Sequence, residues 1–267
     1  MTTIYTYWLL TLKYLDDKSI NNLSIVNKYY RRLTKEKRLL NYGKYMGWEG
    51  LCKIGNFDAI KILYKYRVFV MKIYFDFAFI DIASQYGHLQ IVKFLHMNEL
   101  EIKKIFPYLM KYGTYCTNNA MDWAARNGCL NIVKFLHENR KEGCSVFAMY
   151  WAAKNGHLEI VKYLHENRKE GCTEWAMNIA SQRGHLEVIK WLHNNIKWNK
   201  KELSNVLEIS IKYKQKEVAE WLIKNKYEIT YYVINMAMEN GYEELAIKMS
   251  KIKKNRETIS FYIYDDD

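Results

Sequence analysis

The stretch GHLEIVKYLHENRKEGC, residues 156–172, places two histidines, three glutamates, two lysines, an arginine and a cysteine within seventeen positions. Taken alone it looks like a reactive site. His165-Glu166 opens the zinc-protease pattern His-Glu-x-x-His, in which two histidines four apart chelate one metal. Position 169 is Lys169, so the second ligand is missing. His157 and His165 lie eight apart, which on a helix means about 12 Å of rise and roughly 80° of rotation. One zinc ion cannot take both.

Reading outward, the stretch recurs. GHLQIVKFLH starts at Gly87, GCLNIVKFLH at Gly128 and GHLEVIKWLH at Gly184, with fainter copies from Gly55 (GNFDAIKILY), Lys214 (KQKEVAEWLI) and Gly241 (GYEELAIKMS). The steps between starts are 32, 41, 28, 28, 30 and 27 residues. A second segment precedes each start: AFIDIASQY, NNAMDWAARN, VFAMYWAAKN and EWAMNIASQR. In it Ala120, Met121 and Ala124, or Ala148, Met149 and Ala152, keep the i, i+3, i+4 spacing of a helix face. The glycine suits the C′ position after a helix, and Leu-x-Ile-Val-x-x-x-Leu again has helical spacing. Glu159 and Glu187 fall in the first turn of that second helix, where the dipole favours acids, and can pair with Lys162 and Lys190 three residues on.

All seven histidines (88, 96, 137, 157, 165, 185, 193) occupy two repeat positions. A metal site has no need of such copying, so a structural or surface role is expected, with no metal and no cofactor. Cys116, Cys144 and Cys172 follow the 28-residue step, Cys129 takes a histidine position and Cys52 stands apart. Stacked units lie about 10 Å apart, beyond the roughly 7 Å that a disulfide tolerates between Cα atoms. Free thiols in a reducing, cytoplasmic or nuclear setting are therefore expected.

The chain has 267 residues, 49% of them hydrophobic, and a single proline, Pro107. No apolar run is long enough for a membrane span; the best, Val68 to Ala83, is cut by Lys72, Asp76 and Asp81. MTTIYTYWLLTL lacks a basic leader and a small-residue cleavage site, so no secretory signal is expected. The net charge is +12, and residues 1–76 hold 14 Lys and Arg against 6 Asp and Glu. KYYRRLTKEKR, residues 28–38, could follow a phosphate backbone or form a solvated face; nucleic acid is the less favoured partner.

Ala152 to Leu164, Ala-Ala-x-Asn-Gly-His-Leu-Glu-Ile-Val-Lys-x-Leu, resembles the inner-helix end, turn and outer helix of an ankyrin repeat. The match is strong from about 77 to 195 and extends by register to 41–250. The wording of the opening stretch is most similar to short-period ankyrin proteins of giant DNA viruses and amoebae. The resemblance implies an all-α solenoid of about seven helix-turn-helix units, a monomer that binds a protein and catalyses nothing. Two features depart from the family. Asn119-Ala120-Met121-Asp122, Phe147-Ala148-Met149-Tyr150 and Trp175-Ala176-Met177-Asn178 stand where Thr-Pro-Leu-His is usual. The 28-residue period removes five residues from the connector, so the β-hairpin fingers should be short or absent. The 41-residue step carries the reverse, an insertion near ELEIKKIFPYLMKYG in which Pro107 should break or kink a helix. A tetratricopeptide array fits neither spacing nor signature.

Residues 11–40 resemble most of an F-box through Leu12, Leu15, Ile20, Leu23, Val26, Tyr30 and Leu33, although the Leu-Pro opening is absent. That resemblance implies docking to the adaptor subunit of a cullin-type ubiquitin ligase; the alternative is a helical cap on the stack. The expected organisation is thus a cap or F-box-like segment 1–40, a solenoid 41–250 and a tail 251–267.

Comparison of units separates scaffold from candidate binding surface. Ala and Met stay fixed in the first helix, while positions four apart on one side vary: Phe77, Asp81, Gln85; Asn118, Asp122, Arg126; Val146, Tyr150, Lys154; and Glu174, Asn178, Gln182. They either line a concave binding stripe or record drift on a solvated face.

Overall fold

The computed structural model describes residues 35–68, 78–105, 116–171, 174–198 and 203–264, with side chains as far as Asn255. The F-box-like positions Leu12 to Leu33, Phe77, Pro107, Cys172 and the terminal aspartates lie outside the described residues.

Among the described residues the fold is all-α, with fifteen helices and no strand. They are α1 Lys35–Ile54, α2 Phe57–Lys65, α3 Phe79–Gln85, α4 Leu89–Met97, α5 Glu99–Ile105, α6 Asn119–Arg126, α7 Leu130–Asn139 and α8 Val146–Lys154. The series continues with α9 Leu158–Asn167, α10 Glu174–Arg183, α11 Leu186–Asn195, α12 Val206–Lys212, α13 Lys216–Lys224, α14 Tyr231–Glu239 and α15 Glu243–Tyr264. The helix-turn-helix units expected from the repeat are present in register. α1 breaks at Gly47 (φ 70°), so its second part, from Trp48, serves as the first helix of the first pair. α5 belongs to the inserted segment, and α15 runs through most of the segment expected as a tail.

The turn at Gly156 shows why the repeat is spelled as it is. Asn155 caps α8, Gly156 takes φ 75°, and the N–H of His157 reaches back to the Ala152 carbonyl at 2.9 Å while that of Gly156 reaches Ala153 at 3.3 Å. This double bond pattern satisfies carbonyls that a helix end leaves open. The chain then turns into α9, whose Ile160, Val161 and Leu164 are at most 2% exposed. Each such side chain contributes about 1.5–3 kcal/mol on burial. The facing Ala148, Ala152 and Ala153 are equally buried, and their small size lets the helices approach closely. The surface pairs read from sequence form as well: Lys162–Glu159 at 2.7 Å and Lys190–Glu187 at 2.6 Å.

Two compact units make up the chain, Met1–Ala124 with Asn131–Gly143, and Ala125–Leu130 with Cys144–Asp267. In the first, α1 packs on α2 and α3, α3 on α4, and α4 on α5. Trp48 is fully buried there and donates its indole N–H to the Val68 carbonyl at 2.9 Å. In the second, α8 packs on α10, α10 on α12 and α12 on α14, while α9 packs on α11.

Candidate binding face

Neighbouring pairs are joined by the histidines that first suggested a metal. In the second unit the Nε2 of His157 lies 3.1 Å from the Arg126 carbonyl and that of His185 lies 2.9 Å from the Lys154 carbonyl. In the first, His88 meets the Lys53 carbonyl at 3.0 Å. Gln215 does the same work at its repeat position, donating to the Gln182 carbonyl at 3.3 Å. The second histidine position packs edge-on against an aromatic of the next outer helix, as in His96 on Phe135 and His165 on Trp191. Among the described residues no group of three or more His, Cys, Asp and Glu is placed to hold a metal ion. Cys52, Cys116, Cys129 and Cys144 are free thiols, and burial pushes those of Cys52 and Cys116 well above their ordinary range.

The loop ENRKEGC is likewise structural. Arg140 in the first unit hydrogen-bonds both Glu99 of α5 and Glu142, and its Nη1 lies 3.4 Å from His96 Nδ1. Burial opposes the charges of Glu99 and Glu142, but bonds from Lys103 and Arg140 to the former and from Arg140 and backbone N–H groups to the latter outweigh it, leaving both carboxyls below their usual range. One period later, in the second unit, Arg168 pairs with Glu170. Burial again works against the carboxylate, yet Arg168 and two backbone N–H groups hold Glu170 down at about 2.

The variable positions divide by environment. In the first unit Asn118 is exposed and Gln85 half-buried, whereas Asp81 and Asp122 are buried. Asp81 accepts hydrogen bonds from the Thr117 backbone N–H at 2.9 Å and from the Thr117 hydroxyl. Burial pushes its carboxyl up to about 6, a rise that the two Thr117 bonds only partly offset. The folded chain therefore holds a proton there that the unfolded chain, with a pKa of about 3.9, has released. Stability should fall as pH rises from about 4 to 6 and level off above that range. Asp81→Asn, whose carbonyl accepts the Thr117 N–H and whose amide can donate to the Thr117 hydroxyl, should remove this slope from a plot of melting temperature against pH and leave stability near pH 4 within about 1 kcal/mol of the parent.

The remaining positions fall in the second unit. Arg126 ends α6 with its side chain exposed; Val146 (43% exposed) opens α8, with Tyr150 and Lys154 half-buried behind it. Glu174, Asn178 and Gln182 are half-buried along α10. Trp151 joins the helices: the Arg126 guanidinium sits 4.7 Å and the Lys154 ammonium 4.6 Å from its ring centroid, and Tyr150 meets it edge-on at 5.0 Å. Cation–π contacts of this kind contribute about 0.5–1 kcal/mol at exposed sites and hold both cations in place.

Some large aromatics outside the variable set are more than half exposed. Phe147 is 52% exposed and Trp175 61%, and Tyr232 holds the same repeat position at 61%. A signal was available, because each stands nine residues ahead of its glycine and directly before a buried small or β-branched residue, Ala148, Ala176 or Val233. Scattered apolar side chains on a surface are ordinary; these three recur at one repeat position.

A family model described as ankyrin repeats in three copies matches residues 80–173, 121–202 and 149–235, which together span more than half of the chain. The chain is an ankyrin-repeat protein. No curated protein matches its sequence. Among solved structures, the human ASB11 ankyrin repeat domain is similar in fold, with a TM-score of 0.56 and 16% identity over 76% of this chain and 96% of that one. The ankyrin register identifies α8, α10 and their counterparts as inner helices. No helix among the described residues is long and apolar enough to cross a membrane.

Proposed function

We propose that this ankyrin-repeat scaffold binds a protein through the inner-helix surface of its second unit, at Arg126, Val146, Phe147, Tyr150, Lys154, Trp175 and Gln182. The observation that carries the proposal is the alignment of Phe147 and Trp175, both more than half exposed, at one repeat position. Large aromatics supply most of the energy at protein interfaces, and an aligned pair left to water costs solubility unless a partner covers it. Catalysis is not part of the proposal, since every cluster of ionisable groups described above has a structural explanation. A photo-crosslinking residue at Tyr150 or Gln182 should trap a partner in extracts of the native cell, while the same residue at Lys162 or Lys190 on the outer helices should not. Equal labelling from both faces would remove the inner surface from consideration.

A second reading rests on the F-box-like spacing of Leu12, Leu15, Ile20, Leu23, Val26, Tyr30 and Leu33. In it residues 11–40 dock the adaptor subunit of a cullin-type ubiquitin ligase and the repeats present a target, in keeping with a viral or amoebal protein that acts in the cytosol. Affinity purification of the full chain then recovers that adaptor subunit. Its absence from the purified complex returns residues 1–40 to a capping role.

A further inference from the structure

The exposed side of α8 and α10 is sorted by chemistry. Val146, Phe147 and Trp175 stand in the first turns of these helices; near the other end, two places before the turn glycine, stand Arg126, Lys154 and the neutral Gln182 of α10. Arg126 is exposed and Lys154 half-buried. The acid on this surface, Glu174, is engaged as acceptor of the Trp175 indole N–H at 3.1 Å. One edge is therefore aromatic and the other cationic. A nine-residue helix such as α8 is about 13 Å long, and an α-helix with its side chains is about 10–12 Å across. A partner helix lying across α8 and α10 would rest one flank on each edge.

The repeat also sets a spacing along that partner. Packed helices lie about 10 Å apart, so Phe147 and Trp175 recur at about that interval. Seven residues of an α-helix rise about 10.5 Å. Apolar side chains at every seventh position would stay in register with the two aromatics. The cations suit carboxylates on the opposite flank: the Arg126 guanidinium, 4.7 Å from the Trp151 ring centroid, carries a fork of N–H groups of the kind that binds a carboxylate with two bonds. Because Arg126 and Lys154 are already held against the indole, little rotamer freedom remains to be lost on binding.

We infer that the inner face of the second unit takes an acidic amphipathic α-helix, with apolar residues at heptad spacing on one flank and Asp or Glu on the other. The inference rests on the reading of that face as a protein-binding surface and specifies its ligand. A nucleic-acid strand shares the charge without the spacing, since one sugar joins each base to its phosphate and the pair cannot bridge both edges.

The test uses the full chain and fluorescent probes read by anisotropy: a three-heptad peptide with Leu on one flank and Glu on the other, the same peptide with Lys for Glu, the same with Ser for Leu, and an oligo-thymidine. The acidic amphipathic peptide should bind at least about tenfold more tightly than the other three. Phe147→Ala with Trp175→Ala, and separately Arg126→Glu with Lys154→Glu, should each weaken it by about tenfold or more, a usual scale for interface anchors. The charge-reversed protein should bind the Lys peptide instead, a gain that misfolding cannot produce. Lys162→Glu with Lys190→Glu, on the outer helices, should change nothing. Equal or tighter binding of the Lys peptide or the oligonucleotide by the parent protein overturns the inference, as does indifference to the inner-face variants. If the peptide fails while crosslinking at Tyr150 still traps a partner, the binding surface stands and only the identity of its ligand falls.

Discussion

Arg140→Ala should lower the stability of the folded chain by about 3 kcal/mol, read as a shift in the urea midpoint at unchanged slope. The Arg140 side chain is only 9% exposed, and its partners Glu99 and Glu142 are 20% and 29% exposed. Removing the guanidinium leaves Glu142 without its ion-pair partner and Glu99 with Lys103 alone. Most of the loss comes from these under-compensated acids, so Glu99→Gln with Glu142→Gln in the alanine background should recover part of it. Arg140→Lys should recover less, because one ammonium cannot reproduce a fork that engages Glu99 and Glu142 together. The pH dependence has a definite sign. Both glutamates have folded-state pKa values below the ordinary range; their contribution is therefore full above about 4.3 and is lost as pH falls through the folded values. The parent should weaken on acidification in that window, and Arg140→Ala should be flatter there.

Gly156→Ala is expected to cost about 2–3 kcal/mol. Its φ of 75° lies in the left-handed region, where a Cβ costs about 1–2 kcal/mol. The added carbon would also stand 2.7 Å from Nδ1 of His185. The imidazole has to move and give up the Lys154 carbonyl, about another 1 kcal/mol. Gly171 is the internal control: φ is 82° and no heavy atom lies within 4 Å of where its Cβ would be, so Gly171→Ala should cost about 1 kcal/mol, the backbone part alone. Adding His185→Ala should then cost the Gly156→Ala protein less than it costs the parent, since the clash and the bond disappear together. Thermal melts of the parent, Gly171→Ala, the two single variants at Gly156 and His185, and their double variant suffice.

These cases mark what could be read from sequence. Helix spacing, the glycine at each turn and the buried Ile-Val-Leu triads were legible because periodicity and positive φ leave a residue-type signature. The copying of the histidines showed that they belong to the scaffold, but not what they bond. Their acceptors are main-chain carbonyls of Lys53, Arg126 and Lys154, and a carbonyl has no signature. Asp81 and Asp122 matched the spacing of a surface stripe and are buried. Asp81 is satisfied by Thr117, 36 residues on and beyond the inserted segment, where no repeat pattern leads. Phe147 and Trp175 were visible as residues, yet helical spacing alone does not reveal that a position before Ala-Met points to water.

The histidine links have an evolutionary consequence. The carbonyls that receive them belong to the residue two places before each turn glycine, and that position holds Lys53, Arg126, Lys154 or Gln182. Three of those four side chains line the second unit's inner surface, but the bond that joins one repeat to the next does not depend on them. Mutation can rewrite what this face recognises without loosening the array, and a duplicated block of 28 residues brings its own histidine to fit the glycine before it. Such a lineage can search for new partners at little cost in folding.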